Sequence, residues 1–472
     1  MEEYIEKLIS QIRCIKARPY IADEIRDHIE EQISENKTNG MSEIDAEINA
    51  VKDMGDPVEV GISMDKIHKP RVAWKMLIIV GIISILAILI QWRFVLNINN
   101  NIANFGSITK ATQIGGTFSE NGGVIENTME YSYSIRDFIR NVVVGLLIMG
   151  LVYFLDYTFV ARYSKIIGFL IITAGIWTVF FGIMVNGSHY YVFNIPVSTS
   201  IFMMMYIPVY GAILYKYRGG GTSAVLKSII WLIIPVFITL RIPNMLVSVI
   251  MLICMLAQLT IAVSKGWFKV NKRICIVTQW AVFMILPIVS LFWMWSMHML
   301  AEYQMARIRS WLYLDSELPY MISVIRKFTA EVPVFGKSTN DIIGQLPDLN
   351  RDYVFTYVLN SYGSFAGILV ISVLAILIFS VFSAVIHQKN ELGLVMGCGC
   401  GMLLLINTVI NIFCGIGVLP PASSFLPFFS AGGSSTILCY AFIGIVMSIY
   451  RYKDVYPAHT SRNNLKDLNY SK

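Results

Sequence analysis

From residue 73 onward the chain runs through ten apolar stretches, each near the ~20 residues that cross roughly 30 Å of hydrocarbon, and this pattern excludes an ordinary soluble fold. The stretches lie near 73–95, 138–159, 165–185, 198–215, 225–241, 243–264, 274–299, 364–386, 393–417 and 434–450. With 56% of residues hydrophobic and only 14% charged, the expected fold class is all-α, a polytopic membrane protein of about ten transmembrane helices. Short basic loops stay on the cytoplasmic side, so the segments at Lys165, Lys216 with Arg218, Lys265 to Arg273, Lys389, and Arg451 with Lys453 are expected there. Both termini are then cytoplasmic, and 96–137, 186–197, 300–363 and 418–433 face outward.

Residues 1–70 are different in kind, with 9 basic against 16 acidic side chains and no long apolar run. Ile21, Ile25, Ile29 and Ile33 recur every four residues among acids, the mark of an amphipathic helix. Gly40 ends that helix, and Ser42 with Asp45 resembles a capping box for the next, in which Ile44, Ile48 and Val51 are the expected buried face. Gly55, Asp56 and Pro57 then supply a stop, an N-cap and a first-turn proline. The reading is a helical bundle of about four short helices at 1–70, a membrane domain over 71–456 with a large outer loop at 300–363, and a cytoplasmic tail at 457–472. The charged start carries no cleavable signal peptide. Through MSEIDAEINAVKDMGDPVEV at 41–60 the prefix resembles the helical domain found ahead of bacterial permeases, which implies a cytoplasmic regulatory or partner-docking module or a solubilising cap.

Chemistry concentrates at two stretches that each carry Leu-Pro beside an apolar run, GQLPDLNRDYVF at 344–355 and LPPASSFLPFFSAGGSS at 419–435. Asp352 sits next to Arg351 where a helix is about to enter the bilayer. Desolvation raises a carboxylate's pKa and a neighbouring cation lowers it, a balance that poises a general base near neutral pH. An acid before an apolar helix equally suits an N-cap. The outer loop also holds Arg307, Arg309, Arg326, Lys327 and Lys337, some of which suit phosphate oxygens while the rest keep the loop solvated. Paired glycines and serines at 432–435 suit close backbone approach and the start of the tenth span. Phe425, Phe428 and Phe429 either pack internally or face lipid. The seven cysteines form no Cys-x-x-Cys and read as small buried hydrophobes. No carboxylate cluster has metal-ligand spacing, so no cofactor site is assigned, and a divalent cation is left open. Nothing points to nucleic acid.

These residues resemble the SEDS family, the FtsW/RodA/SpoVE proteins of bacterial cell-wall synthesis. Leu346, Pro347, Asp348, Arg351, Asp352, Tyr353, Val354 and Phe355 follow the family's Leu-Pro-Glu, His-Thr-Asp-Phe-Ile-Phe pattern with the aspartate in register. Leu419, Pro420, Leu426, Pro427, Phe428, Ser430, Gly432, Gly433, Ser434 and Ser435 follow its last outer loop without a gap. Weaker echoes are Asp156 with Tyr157, Asn186 with Gly187, Pro243, Arg307, and Phe335 to Lys337. The chain departs from the pattern at His189, Tyr190, Asn244, Asn360 and Ser361.

The resemblance implies a lipid II glycosyltransferase of the bacterial cytoplasmic membrane, polymerising peptidoglycan glycan strands at its outer face beside a monofunctional penicillin-binding transpeptidase. Asp352 is then the general base, with Arg307, Lys337 and Arg351 as candidates for the diphosphate and Ser434 and Ser435 for the adjoining loop. Two other classes fit the pattern. One is a degenerate relative kept as scaffold or sensor, supported by the departures. The other is a lipid-linked precursor flippase, disfavoured because the spans hold almost no ionisable residue away from their ends.

Overall fold

The computed structural model describes residues 1–108, 117–118, 124–125, 134–185, 188–189, 191–194, 197–242, 244–297, 320–339, 346, 348–420 and 422–456. Four short helices come first: α1 (Glu2–Ser10), α2 (Arg18–Thr38), α3 (Glu43–Asp53) and α4 (Pro57–Ile67). The Ser42 hydroxyl accepts from Asp45 N at 3.3 Å, and Asp56 accepts from Val58 N at the same distance, with Pro57 as first helical residue. Gly40 (φ 91°) and Gly55 (φ 81°) make the turns in the left-handed region that side chains resist.

The face that α3 buries corrects the sequence expectation. Ala46 and Ala50 are buried, whereas Ile44 and Ile48 are 73% and 59% exposed and Val51 is only partly covered. Alanines lie on the opposite side of the helix from that isoleucine stripe, and their small size admits a close approach to α2. Hydrophobicity alone therefore points to the wrong face.

The remaining helices are α5 (Trp74–Ile108), α6 (Ile135–Phe154), α7 (Tyr157–Arg162), α8 (Ser164–Phe181), α9 (Thr199–Met204), α10 (Tyr206–Lys216), α11 (Thr222–Arg241), α12 (Met245–Ser264), α13 (Lys272–Ser296), α14 (Tyr320–Ala330), α15 (Val354–Tyr362), α16 (Ser364–Ile386), α17 (Glu391–Gly415) and α18 (Gly433–Arg451). Strands among the described residues are two antiparallel two-residue pairs. Nine helices among the described residues are long and apolar enough to cross a membrane. The tenth expected span, 198–215, is divided into α9 and α10 at Met205. Pro208 accounts for the division, since it has no N–H and its ring crowds the carbonyl four residues back, that of Met204.

Helices α10, α12, α17 and α18 form the interior, and α13 lies at the periphery, held to α12 by Trp280 Nε1, which donates to Thr260 Oγ1 at 2.9 Å. The closest pairing joins α6 and α18. A Cβ on Gly145 would run into the Tyr440 ring, and one on Gly444 would lie 2.8 Å from Met149 O. Small residues allow such backbone approach where hydrocarbon supplies no hydrophobic drive between helices.

At one end of the bundle the prefix helices are docked by a polar cluster. Lys16 Nζ lies 2.8 Å from Asp156 Oδ2 and 3.2 Å from the Tyr452 hydroxyl, and the Tyr456 hydroxyl donates to the same carboxylate oxygen. Arg71 pairs with Asp454 at 2.7 Å, and its N–H donates to Arg451 O at 3.0 Å. The α6–α18 contact yields a prediction. Gly145→Leu should lower the thermal midpoint in detergent by the equivalent of about 1–3 kcal/mol, whereas Gly150→Leu, whose Cβ would meet nothing within 4 Å, should leave it nearly unchanged. Equal midpoints for the two variants would remove the close approach as a stabilising feature.

Candidate active site

At the end of the bundle away from the prefix, the stretches 348–353 and 422–432 form one unit. Asp348 takes a positive φ of 50°, a conformation asparagine and aspartate tolerate better than most residues. Its carbonyl then accepts from the N–H groups of Arg351 (2.9 Å), Asp352 (2.9 Å) and Tyr353 (3.3 Å). This tight turn presents Asp352 just before α15. Facing it, Phe428 also has a positive φ (69°), unfavourable for an aromatic residue and held by burial against Tyr440, whose ring centroid is 5.1 Å away.

The stretches are joined by hydrogen bonds that leave little freedom to either. Ser430 Oγ donates to Arg351 O at 2.6 Å and accepts from Leu426 N at 2.7 Å, while Ala431 N donates to Asn350 O at 2.8 Å. Two buried amides from membrane helices complete the joint. Gln91 Nε2 of α5 donates to Asn350 O (3.1 Å) and Phe429 O (2.7 Å). Asn411 Nδ2 of α17 donates to Asp352 O (2.8 Å) and Ser424 O (3.0 Å). Thr356 at the start of α15 donates to Gly415 O at 2.7 Å.

The Asp352 side chain itself is half-buried. Burial pushes its pKa up from the usual carboxylate range to about 7; the Ser423 hydroxyl and Arg351 oppose the rise, and Asp348 adds to it. It is not a helix cap. The N-cap of α15 is Tyr353, whose side chain makes no capping bond. A carboxylate with these properties exchanges a proton near neutral pH, as a general base must.

The other candidates fall in different places. Arg351 is exposed beside Asp352. Lys337 is exposed on a segment tied to the end of α15 by Gly336 N to Tyr362 O (3.2 Å) and Ser338 N to Asn360 O (2.8 Å). Arg307 lies outside the described residues. Ser434 Oγ accepts from Ser198 N at 3.1 Å, and buried Ser435 donates to Gly432 O at 2.8 Å, so both hydroxyls hold backbone. Phe425, Phe428 and Phe429 are buried packing residues. Of the departures, Asn244 caps α12 by accepting from Val247 N at 3.3 Å, Asn360 is buried in α15, Ser361 bonds the Tyr357 phenol, and Tyr190 is outside the described residues.

Sequence reasoning passed over Gln91, Asn411 and Ser423. Gln91 and Asn411 had a usable signal, being amides inside apolar spans, where a polar group needs a partner.

The raised pKa has a stability consequence. Between pH ~4 and ~7 the folded state binds the Asp352 proton more tightly than the unfolded chain does, so stability falls as pH rises through that window and is flat above it. Asp352→Asn should therefore melt higher than wild type at pH 8, by at most a few kcal/mol, and by a smaller margin at pH 5, where only part of that window has been crossed. A melting series in detergent showing the same difference at both pH values would contradict the raised pKa.

The pattern describing the cell cycle protein family FTSW_RODA_SPOVE matches residues 119–455. The chain is similar to the "Probable peptidoglycan glycosyltransferase FtsW" of Enterococcus hirae, 30% identical over 119 residues, which make up 25% of this chain and 30% of that protein. It is similar also to the "Peptidoglycan glycosyltransferase MrdB" of Escherichia coli K12, 26% identical over 180 residues, 37% of this chain and 48% of that protein. The matched segments thus span from under a third to about half the length of these relatives. In fold it is similar to a chain from a structure titled "Structural coordination of polymerization and crosslinking by a peptidoglycan synthase complex", with TM-score 0.60 and 18% identity over 82% of this chain and 98% of that one. With 119–455 matched, most of the bundle and both joined loops included, the chain belongs to the FtsW/RodA/SpoVE cell cycle protein family.

Proposed function

We propose that this protein polymerises the glycan strands of peptidoglycan from lipid II at the outer face of the bacterial cytoplasmic membrane, with Asp352 as general base. The observation that carries this reading is the half-buried carboxylate with pKa about 7, held on a turn whose backbone is tied at several points. The names of relatives as peptidoglycan glycosyltransferases support the substrate class.

In the reaction, the acceptor sugar's 4-hydroxyl attacks the donor's anomeric carbon. Asp352 takes the hydroxyl proton as the new C–O bond forms, and the bond from that carbon to the diphosphate oxygen breaks. The departing polyprenyl diphosphate keeps the electron pair, and cations must stabilise its charge. Arg351 and Lys337 are exposed candidates for that role, and Arg307 is a third. The orientation that fits places both termini and the prefix helices in the cytoplasm, because the basic segments Lys216 to Arg218 and Lys265 to Arg273 then lie inside. Lipid II is the substrate, and a monofunctional penicillin-binding transpeptidase is the expected partner, in keeping with the synthase-complex title of a structural neighbour.

A second reading, a scaffold without activity, is favoured by Asn244 and Asn360, which stand at departures from the family pattern and serve as a helix cap and as buried helix packing. Purified protein supplied with lipid II, with and without a cognate transpeptidase, decides between them. Wild type should produce polymer, and Asp352→Ala should lose at least ~100-fold in rate. The wild-type rate should rise with pH through a midpoint near 7, because the base works deprotonated. Absence of polymer from wild type under every condition would leave the scaffold.

A further inference from the structure

Between Asp156 and Glu302 the chain contains ten basic residues and no acidic one. Nine of the ten fall in or beside three segments at the prefix end of the bundle, 162–165, 216–227 and 265–273, and the tenth, Arg241, stands at the other end of α11. The three segments are fastened to one another. Lys216 Nζ donates to Arg162 O at 2.7 Å, and the Lys165 ammonium lies 4.6 Å from the centre of the Tyr217 ring. Gly219 N donates to Trp267 O at 2.7 Å and Lys269 N to Gly220 O at 2.8 Å. One continuous surface therefore carries Lys165, Lys216, Lys265 and Lys269, all of them exposed.

The carboxylates nearest to it in the fold are engaged elsewhere. Asp156 is held by Lys16, and Glu391 at the start of α17 accepts from Trp267 Nε1 at 2.6 Å. No ion pair among the described residues involves Arg162, Lys165, Lys265 or Lys269. Helices α8, α11 and α13 all begin here with no acid in the first turn, so their positive ends add to the charge. Cations at that end of a helix oppose its dipole, an arrangement that an external anion relieves.

We propose that this surface binds anionic phospholipid headgroups of the leaflet on the prefix side, with Lys165, Lys265 and Lys269 meeting the phosphate oxygens. A phospholipid fits better than an acidic protein because hydrocarbon-facing side chains follow at once. Phe169 and Leu170 lie about one turn along α8 from Lys165, Leu226 and Ile230 flank Lys227 on α11, and Val277 lies one turn along α13 from Arg273, all of them exposed. A ligand charged at one end and apolar along its length meets both parts of this surface. Basic residues just outside a span draw anionic lipid, and the attraction falls as salt screens it. The proposal is independent of the catalytic reading, since it uses no residue of the joint that carries Asp352.

The test titrates full-length protein in detergent with phosphatidylglycerol and with phosphatidylcholine of the same acyl chains, and counts bound lipid by native mass spectrometry. Wild type should retain phosphatidylglycerol at least ~10-fold more tightly, a preference that shrinks as ionic strength is raised. Combining Lys165→Gln, Lys265→Gln and Lys269→Gln should cut the preference at least ~5-fold, while arginine at the same three positions should keep it. Arg241→Gln, which removes an exposed cation at the opposite end of α11, should keep it too. The three lysines are exposed, and the arginine variant separates loss of charge from loss of fold. Equal retention of the two lipids by wild type overturns the proposal, and so does an unchanged preference in the triple glutamine variant. Displacement of phosphatidylglycerol by an equal concentration of glycerol 3-phosphate or of poly-glutamate overturns it as well, in favour of a soluble anion or an acidic protein.

Discussion

Backbone outside a helix has few partners near hydrocarbon, so each N–H and C=O of a loop placed there must be satisfied by the protein. That constraint explains the joint between 348–353 and 422–432 better than any single contact does. The carbonyls of Asn350, Arg351, Asp352, Ser424 and Phe429 are each taken by a donor from another element, namely Gln91, Ala431, Ser430 or Asn411. A rigid joint of this kind can hold two residues at positive φ, Asp348 and Phe428, because the surroundings over-determine them. It also withdraws the Asp352 carboxylate from water, and the raised pKa follows from that withdrawal.

The acid's reactivity and its cost to stability are therefore the same fact seen twice. Desolvation that keeps Asp352 protonated up to about pH 7 makes it an effective proton acceptor at that pH, and makes its ionised form unfavourable within the fold. The cation beside it, Arg351, is exposed and does not cancel that cost. A buried cation would have lowered the pKa and weakened the base.

Much of the fold was legible because a membrane reduces the problem to length and hydropathy. Nine of the ten expected spans correspond, with shifted ends, to helices long and apolar enough to cross a membrane, and the tenth is divided where Pro208 acts on Met204, a local effect that an average over a window removes. The α3 error has a related origin. A stripe of isoleucines outweighs two alanines on any hydrophobicity scale, yet close helix approach selects the alanines at 46 and 50. At the site, Asp352 could be singled out from its neighbours in the chain. Gln91, 261 positions away, and Asn411 stand out as amides inside apolar spans, but the sequence does not state which loop a buried amide reaches.

The last helix shows why the two ends of the molecule are best considered together. Its first turn follows Ser430 and Gly432, which are bonded into the joint, and Thr436 Oγ1 donates to Ser430 O at 3.2 Å. Its far end runs into Arg451, Tyr452, Asp454 and Tyr456, which hold Lys16 and Arg71 of the prefix and its linker. Between them α18 packs along α6 at glycine contacts that permit little sliding. A helix pinned at both ends and along its length carries position faithfully. The prefix helices and the acid-bearing turn, far apart in the bundle, are thereby fixed to the same rod, and Asp156, which anchors Lys16, stands just beyond the α6 end of that same pairing.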